Sequence, residues 1–208
     1  MDSNDAHAQA WEEALAHFGH RVPFARVREL IGKGGDKLLA EAAGIDKESA
    51  LGKQIDQRRE RSFMRDYLPR LKPFPGAREL LLRLRDDGLR RVVATSAKRS
   101  EMEALLDICD ARGLIDAHTS SDDADNSKPD PDIIQAALQK AGVPASASVM
   151  LGDTPYDLEA SRRCGVGSIA VRSGGWEDAA LAGALAIYDD VADLLAHYAE
   201  SPLAPRRG

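Results

Sequence analysis

The chain has 208 residues, 43% of them hydrophobic, with 28 basic and 34 acidic side chains and a formal net charge of -6. That length suits one ordinary core domain plus a smaller one, and the acidic balance argues against general nucleic-acid binding, which leaves a basic footprint. No stretch approaches the roughly 18 apolar residues of a membrane span, the polar start "MDSNDAHAQAW" lacks the apolar block of a signal peptide, and Cys109 and Cys164 have neither metal-ligand nor disulfide spacing. The expectation is a cytoplasmic protein with reduced thiols and a small-molecule partner, and with no zinc, nucleic acid or membrane.

From about Asp5 to Tyr67, apolar residues recur at three, four or seven positions. Trp11, Leu15 and Phe18 do so first, then Phe24, Val27, Leu30 and Ile31, then Leu38 and Leu39, then Leu51 and Ile55. This predicts helices without an intervening strand. In "YLPRLKPFPGA", Pro69, Pro73 and Pro75 each fix φ and remove a backbone donor, which suits a short stiff connection. The expected division is a helical domain over 1–70, a core domain over 71–200 and a flexible tail over 201–208. Beyond the connection, short β-branched or apolar runs over 90–96, 116–121, 148–153, 168–173 and 185–189 read as strands between helices. Pro75-Gly76 marks one helix start, Ser100 with Glu103 reads as a capping box, and Asp130 reads as the cap before Pro131. Gly142 and Gly165 read as helix stops. The alternation predicts an α/β fold, a parallel sheet with helices on both faces, in which ligands bind beyond the carboxyl ends of the strands. Thr95 and Ser96, the Ser120 to Asp123 group, and Asp153 with its neighbours stand at such ends.

Three stretches carry candidate chemistry, each beside a purely structural reading. In "GDTPYD", Thr154, Pro155 and Asp157 make a good helix start, with a capping hydroxyl, proline at the first position and an acid near the positive end of the dipole. That leaves Asp153 unexplained, and Mg²⁺, which prefers hard oxygen ligands, would suit two neighbouring acids; both readings stand. In "SKPDPDI", the bland reading is an exposed loop. The functional one is that Pro129 and Pro131 stiffen the backbone so that the Lys128 ammonium is aimed at one point, where it stabilises phosphoryl charge. In "VVATSAKRS", Thr95 or Ser96 either satisfies local backbone groups or binds a phosphate oxygen. Elsewhere, the glycine-rich "IGKGGDKLL" with Lys33 and Lys37 is either a helix-to-helix turn or a loop that leans over an anion. Arg58, Arg59, Arg61 and Arg65 form either an anion-attracting patch or the wet face of a helix, and Trp11 is read as core.

In this order and at these separations, the strand-end hydroxyl, the proline-flanked lysine and the Gly-Asp-x-x-x-Asp run resemble the second, third and fourth motifs of the haloacid dehalogenase superfamily of phosphatases. The helical segment resembles the mobile cap of phosphoglycolate phosphatases and β-phosphoglucomutases, and "DSNDAHAQAW", with Asp2, His7 and Trp11, is similar to the run after their first motif. The resemblance implies a Rossmann-like core plus an α-helical cap. It implies that Thr95 and Ser96 bind the transferring phosphoryl group, that Lys128 neutralises nucleophile and phosphate, that Asp153 ligates Mg²⁺, and that Asp157 supports that ligand or a metal-bound water. Lys33 and His7 are the candidates for substrate contact from the cap.

One departure is severe. The family's first motif, Asp-x-Asp-Gly-Thr at the end of the first and central core strand, occurs nowhere in this sequence. Its absence removes the nucleophile of the phospho-aspartyl intermediate, the general acid-base and two magnesium ligands, so this chain is expected to be inactive or nearly so. Without that strand, 90–96 and 148–153 either pair with each other or leave the sheet weakened. A start assigned too late is the expected explanation, because GTG reads as valine inside a gene and as methionine at a bacterial start. The resulting reading is a Mg²⁺-dependent phosphatase for a small phosphorylated metabolite. A sugar-phosphate mutase and a non-catalytic binder of phosphorylated ligands or partners are the alternatives, and a dehalogenase would leave Asp153 and Asp157 without a purpose.

Overall fold

A computed structural model describes residues 1–205. The chain divides into two compact units, one formed by Asp2–Lys72 and the other by Met1 with the chain from Pro73 onward.

The first unit is helical: α1 (Asn4–His17), α2 (Phe24–Glu29), α3 (Gly35–Ala43) and α4 (Ala50–Ser62). A π-helical turn (Phe63–Tyr67) and a 3-10 turn (Leu68–Arg70) continue α4. The apolar positions read from the sequence close one core, in which Trp11, Leu15, Val27, Leu38, Leu39 and Ile55 are buried. Ser49 caps α4, its side chain accepting the Gly52 amide at 3.0 Å. Arg59 departs from the wet-face reading of the arginine run: it is buried, 3.7 Å from Asp56 and with its guanidinium 5.0 Å from the Trp11 ring centre. Its planar cation lies between a carboxylate and an aromatic face. The unit's two ends meet where the Asp2 amide donates to the Lys72 carbonyl at 3.3 Å.

The second unit opens with α5 (Ala77–Asp86) and then alternates strand with helix, giving the α/β Rossmann-like core. Its elements are β1 (Val92–Ala94), α6 (Arg99–Ile108), β2 (Ala117–Thr119), α7 (Asp132–Ala141), β3 (Val149–Gly152), α8 (Pro155–Arg163), β4 (Gly167–Val171), β5 (Ala186–Tyr188) and α9 (Val191–Ala196). All strand pairs are parallel. Successive residues serve opposite faces, as a pleated strand requires. Met150 packs with Ile134 of α7 and Ala160 of α8, while Leu151 packs with Leu80 of α5 and Leu194 of α9.

The sheet is in two pieces. β1 pairs with β2, and β3, β4 and β5 form a separate set in that order. Of the two outcomes expected for a missing central strand, β1 and β3 do not close up on each other, although Ala94 and Met150 pack against the same cluster around Ile134 and Ala160.

Three local expectations are corrected. Ser100 lies inside α6, whose start is Arg99, and the Arg99 amide is met at 3.3 Å by Asp122, so a carboxylate from another loop replaces the local capping box. Asp130 does not cap α7; its carboxylate binds Arg163 at 2.9 Å, and Pro131 is the residue before the helix. The segment expected to be a flexible tail from 201 is packed over its first residues. Leu203 and Ala204 lie against the cluster around Ile169 and Tyr198, and the Tyr198 hydroxyl donates to the Leu203 carbonyl at 3.3 Å. Residues 206–208 of that tail lie outside the described residues. Both cysteines are free thiols, and burial pushes each thiol pKa up. Among the described residues no helix is long and apolar enough to cross a membrane.

Candidate active site

At the carboxyl ends of β1 and β3, hydrogen bonds join the three stretches singled out in the sequence. Thr95 and Ser96 follow β1 directly. The Thr95 amide donates to the Thr119 carbonyl at 3.1 Å, which continues the ladder with β2 one residue past the strand. Thr95 Oγ1 then accepts the Ala97 amide at 3.1 Å, and Ser96 Oγ accepts the Lys128 amide at 3.4 Å. A hydroxyl that accepts from a backbone N–H still has its own proton to give. Thr95 and Ser96 therefore carry out the local backbone task and still have donors.

Lys128 is buried, and its peptide to Pro129 is cis. Its Nζ reaches Asp157 Oδ1 at 2.6 Å and the Ala94 carbonyl at 3.4 Å. An ammonium has three donors, and two are spent on holding it in place.

Asp157, third residue of α8, is also buried. Thr154 and Asp157 form a reciprocal capping box: Thr154 Oγ1 accepts the Asp157 amide at 3.3 Å, and Asp157 Oδ2 accepts the Thr154 amide at 3.2 Å. The same Oδ2 accepts the Thr154 hydroxyl at 2.8 Å and the Asp153 amide at 3.3 Å. The Asp157 carboxylate thus holds Lys128 with one oxygen and the Asp153–Thr154 backbone with the other. Gly152 makes this possible, because a Cβ on it would lie 2.5 Å from the Asp157 Cβ. In the sequence Gly152 is the glycine of the Gly-Asp-x-x-x-Asp run, and its place directly before an acid at a strand end is the signal for this packing role. Asp153 lies half-buried at the tip of β3. Among the described residues, no group of three or more His, Cys, Asp or Glu side chains forms a metal-binding cluster.

The remaining candidates have partners of their own. Ser120 and Asp123 make a second reciprocal cap, and Asp123 also accepts Lys140 at 2.7 Å. Those contacts, with the Ser120 amide, hold the Asp123 carboxyl down to about 2. In the helical unit, Lys33 is engaged by both oxygens of Glu41 at 2.6 and 2.7 Å. His7 stacks on Phe63 with ring centres 4.1 Å apart.

The chain is similar to several known proteins. A phosphoglycolate phosphatase of Rhodospirillum rubrum is 32% identical over 179 residues, covering 82% of this chain and 74% of the relative. A hydrolase from Pseudomonas syringae, known from its crystal structure, superposes with a TM-score of 0.88 at 30% identity, over 96% of this chain and 93% of that one. CbbY from Rhodobacter sphaeroides, solved in complex with phosphate, gives a TM-score of 0.77 at 25% identity, over 92% of this chain and 90% of its own. The family model described as haloacid dehalogenase-like hydrolase matches residues 1–171, and the chain belongs to that family.

Proposed function

We propose that this chain is built for magnesium-dependent hydrolysis of a small phosphorylated metabolite, through a phospho-aspartyl intermediate whose nucleophile is not among its 208 residues. The observation that carries the reading is the buried Lys128 ammonium, fixed between Asp157 and the Ala94 carbonyl beside two hydroxyls that retain their protons. In a largely dissociative phosphoryl transfer, positioned cations and donors supply most of the stabilisation.

Each residue then has a task. Thr95 and Ser96 donate to non-bridging phosphoryl oxygens. Lys128 neutralises charge on the phosphoryl group and the incoming carboxylate. Asp157 keeps the lysine directed, and its supporting place accords with a carboxylate already accepting from four partners. Asp153 would hold Mg²⁺, an ion commonly bound by one or two carboxylates with water and phosphate completing its shell. When bound, the ion supplies further neutralisation of the phosphate. His7 and Lys33 are assigned to substrate contact from the helical unit.

A panel of phosphate esters, with 2-phosphoglycolate first because of the relatives' names, tests this on two proteins. One is the 208-residue chain; the other is extended upstream by its in-frame coding sequence. Turnover by the extended form alone, abolished by Asp153→Asn, is the expected result. The alternative reading is a non-catalytic binder of phosphorylated ligands or of a partner. No turnover by either protein, with retained ligand binding, would establish that one. Phosphate exchange within a sugar without net release would indicate a mutase.

A further inference from the structure

Asp153 stands one residue past β3 and is gripped by the segment that leaves the neighbouring strand. β4 runs into a 3-10 turn, Arg172–Gly174. Arg172 anchors that turn with a guanidinium that reaches Asp178 at 2.7 and 2.9 Å and Asp189 at 2.6 Å. On the other side of the turn, Trp176 meets Tyr156 of the first turn of α8 edge to face, ring centres 6.0 Å apart.

Between these anchors Gly174 is buried. A Cβ on it would lie 1.8 Å from the Asp153 carbonyl oxygen, 2.8 Å from its carbonyl carbon and 3.1 Å from its Cβ. Two of those atoms are backbone, so no rotamer change relieves the clash. Gly174 is not among the residues with positive φ, so what its position demands is room rather than an unusual conformation. The Asp153 peptide is therefore held from two directions: its amide donates to Asp157 Oδ2 at 3.3 Å, and its carbonyl lies against the bare backbone of Gly174.

We propose that Gly174 is a positioning residue for Asp153, fixing through backbone contact the direction in which the Asp153 carboxylate leaves β3. That this carboxylate serves Mg²⁺ rests on the function proposed above; the positioning itself does not. Supporting groups around a metal ligand commonly change affinity by about 10–100-fold when altered, so a misplaced Asp153 should be visible in metal binding.

The test compares Gly174→Ala with Gly183→Ala in the full chain. Gly183 has a φ of 96° and open space around it, so alanine there strains the backbone without touching Asp153. Backbone amide shifts of Asp153 and Thr154 report the positioning directly in this chain, and calorimetric titration of the upstream-extended form with Mg²⁺ alone, with Asp153→Asn in that form as reference, reports its consequence. Gly174→Ala is expected to move both amides and weaken Mg²⁺ binding about tenfold or more, while Gly183→Ala leaves both readouts as in the parent. A folded Gly174→Ala protein whose Asp153 and Thr154 amides keep their parent positions overturns the proposal. If Gly174→Ala does not fold, Arg172→Gln loosens the same turn without adding an atom beside Asp153; smaller shifts of the same two amides are expected, and unmoved ones again overturn it. If Asp153→Asn binds Mg²⁺ like the parent, the metal reading fails, and the amide comparison still decides the role of Gly174.

Discussion

Lys128 and Asp157 have side chains only 9% and 5% exposed, and their charged atoms are 2.6 Å apart. Removing one partner of such a pair strands the other in a poor solvent for ions and costs roughly 3–5 kcal/mol. Lys128→Met should lower unfolding stability by about that much, whereas the Lys128→Met, Asp157→Asn double variant should lose less than the sum of the two single losses. Urea titration of the four proteins measures this; additive losses would mean that the pair is not coupled. Asp123 gives a pH effect with a definite sign. Its carboxyl is held down to about 2 from a usual 3.8 by Lys140 and the Ser120 amide, so its contribution is complete above the usual value and is lost as pH falls from there towards 2. Asp123→Asn should therefore flatten the acid side of the stability profile, read as melting temperature between pH 5 and 2. Legibility differed among these residues for a physical reason. Thr95, Ser96 and Asp153 stand out in sequence because they are polar residues closing apolar strands, and Lys128 because prolines follow it, although Thr95, Ser96 and Lys128 each also have a local structural reading. Gly174 does not stand out, since its partner is a carbonyl 21 positions earlier and nothing local demands a glycine.

All five strands could be read from β-branched and apolar runs, four with both ends set too wide and β4 shifted, read from 168 to 173 where it runs Gly167–Val171, because the runs took in flanking residues such as Arg90 and Asp189 that lie outside the strands. The helix starts were less legible. Ser100 with Glu103 satisfies the local pattern, yet the first amide of α6 takes Asp122 from a loop 23 residues on, and Asp130 is drawn to Arg163 on α8. Capping by tertiary partners leaves no periodic trace in sequence. The split of the sheet was legible only as a choice of outcomes, and its energetic consequence now follows. β4 is paired on both sides, with Ile169 and Ala170 fully buried, whereas β1 is half-buried and Val149 of β3 is 37% exposed. Edge amides open with less loss of packing than central ones. Native-state hydrogen exchange should find the Ile169 and Ala170 amides slowest in the sheet and those of β1 faster; equal protection of β1 and β4 would contradict the two-piece sheet.

At the scale of the molecule, the compact unit Asp2–Lys72 closes on its own ends through the Asp2–Lys72 backbone hydrogen bond and surrounds a core made only of its own residues. A unit of this size sits near the lower limit at which one hydrophobic core suffices, with about 3–5 kcal/mol to spare at best. Trp11 occupies a central place in that margin. It is 4% exposed, a Cβ on Gly35 would lie 3.1 Å from its ring, and the Arg59 guanidinium covers its face. A peptide of residues 2–72 should therefore show helical circular dichroism and a cooperative thermal transition. Trp11→Ala in the same peptide, costing about 3–5 kcal/mol by loss of burial and the cavity left behind, should abolish the transition. Trp11→Phe, which keeps most of the ring volume but gives Arg59 a weaker face, should lower the midpoint and preserve cooperativity. A gradual, non-cooperative melt of the unsubstituted peptide would show that the helical unit depends on the rest of the chain, whatever the closure of its own core suggests.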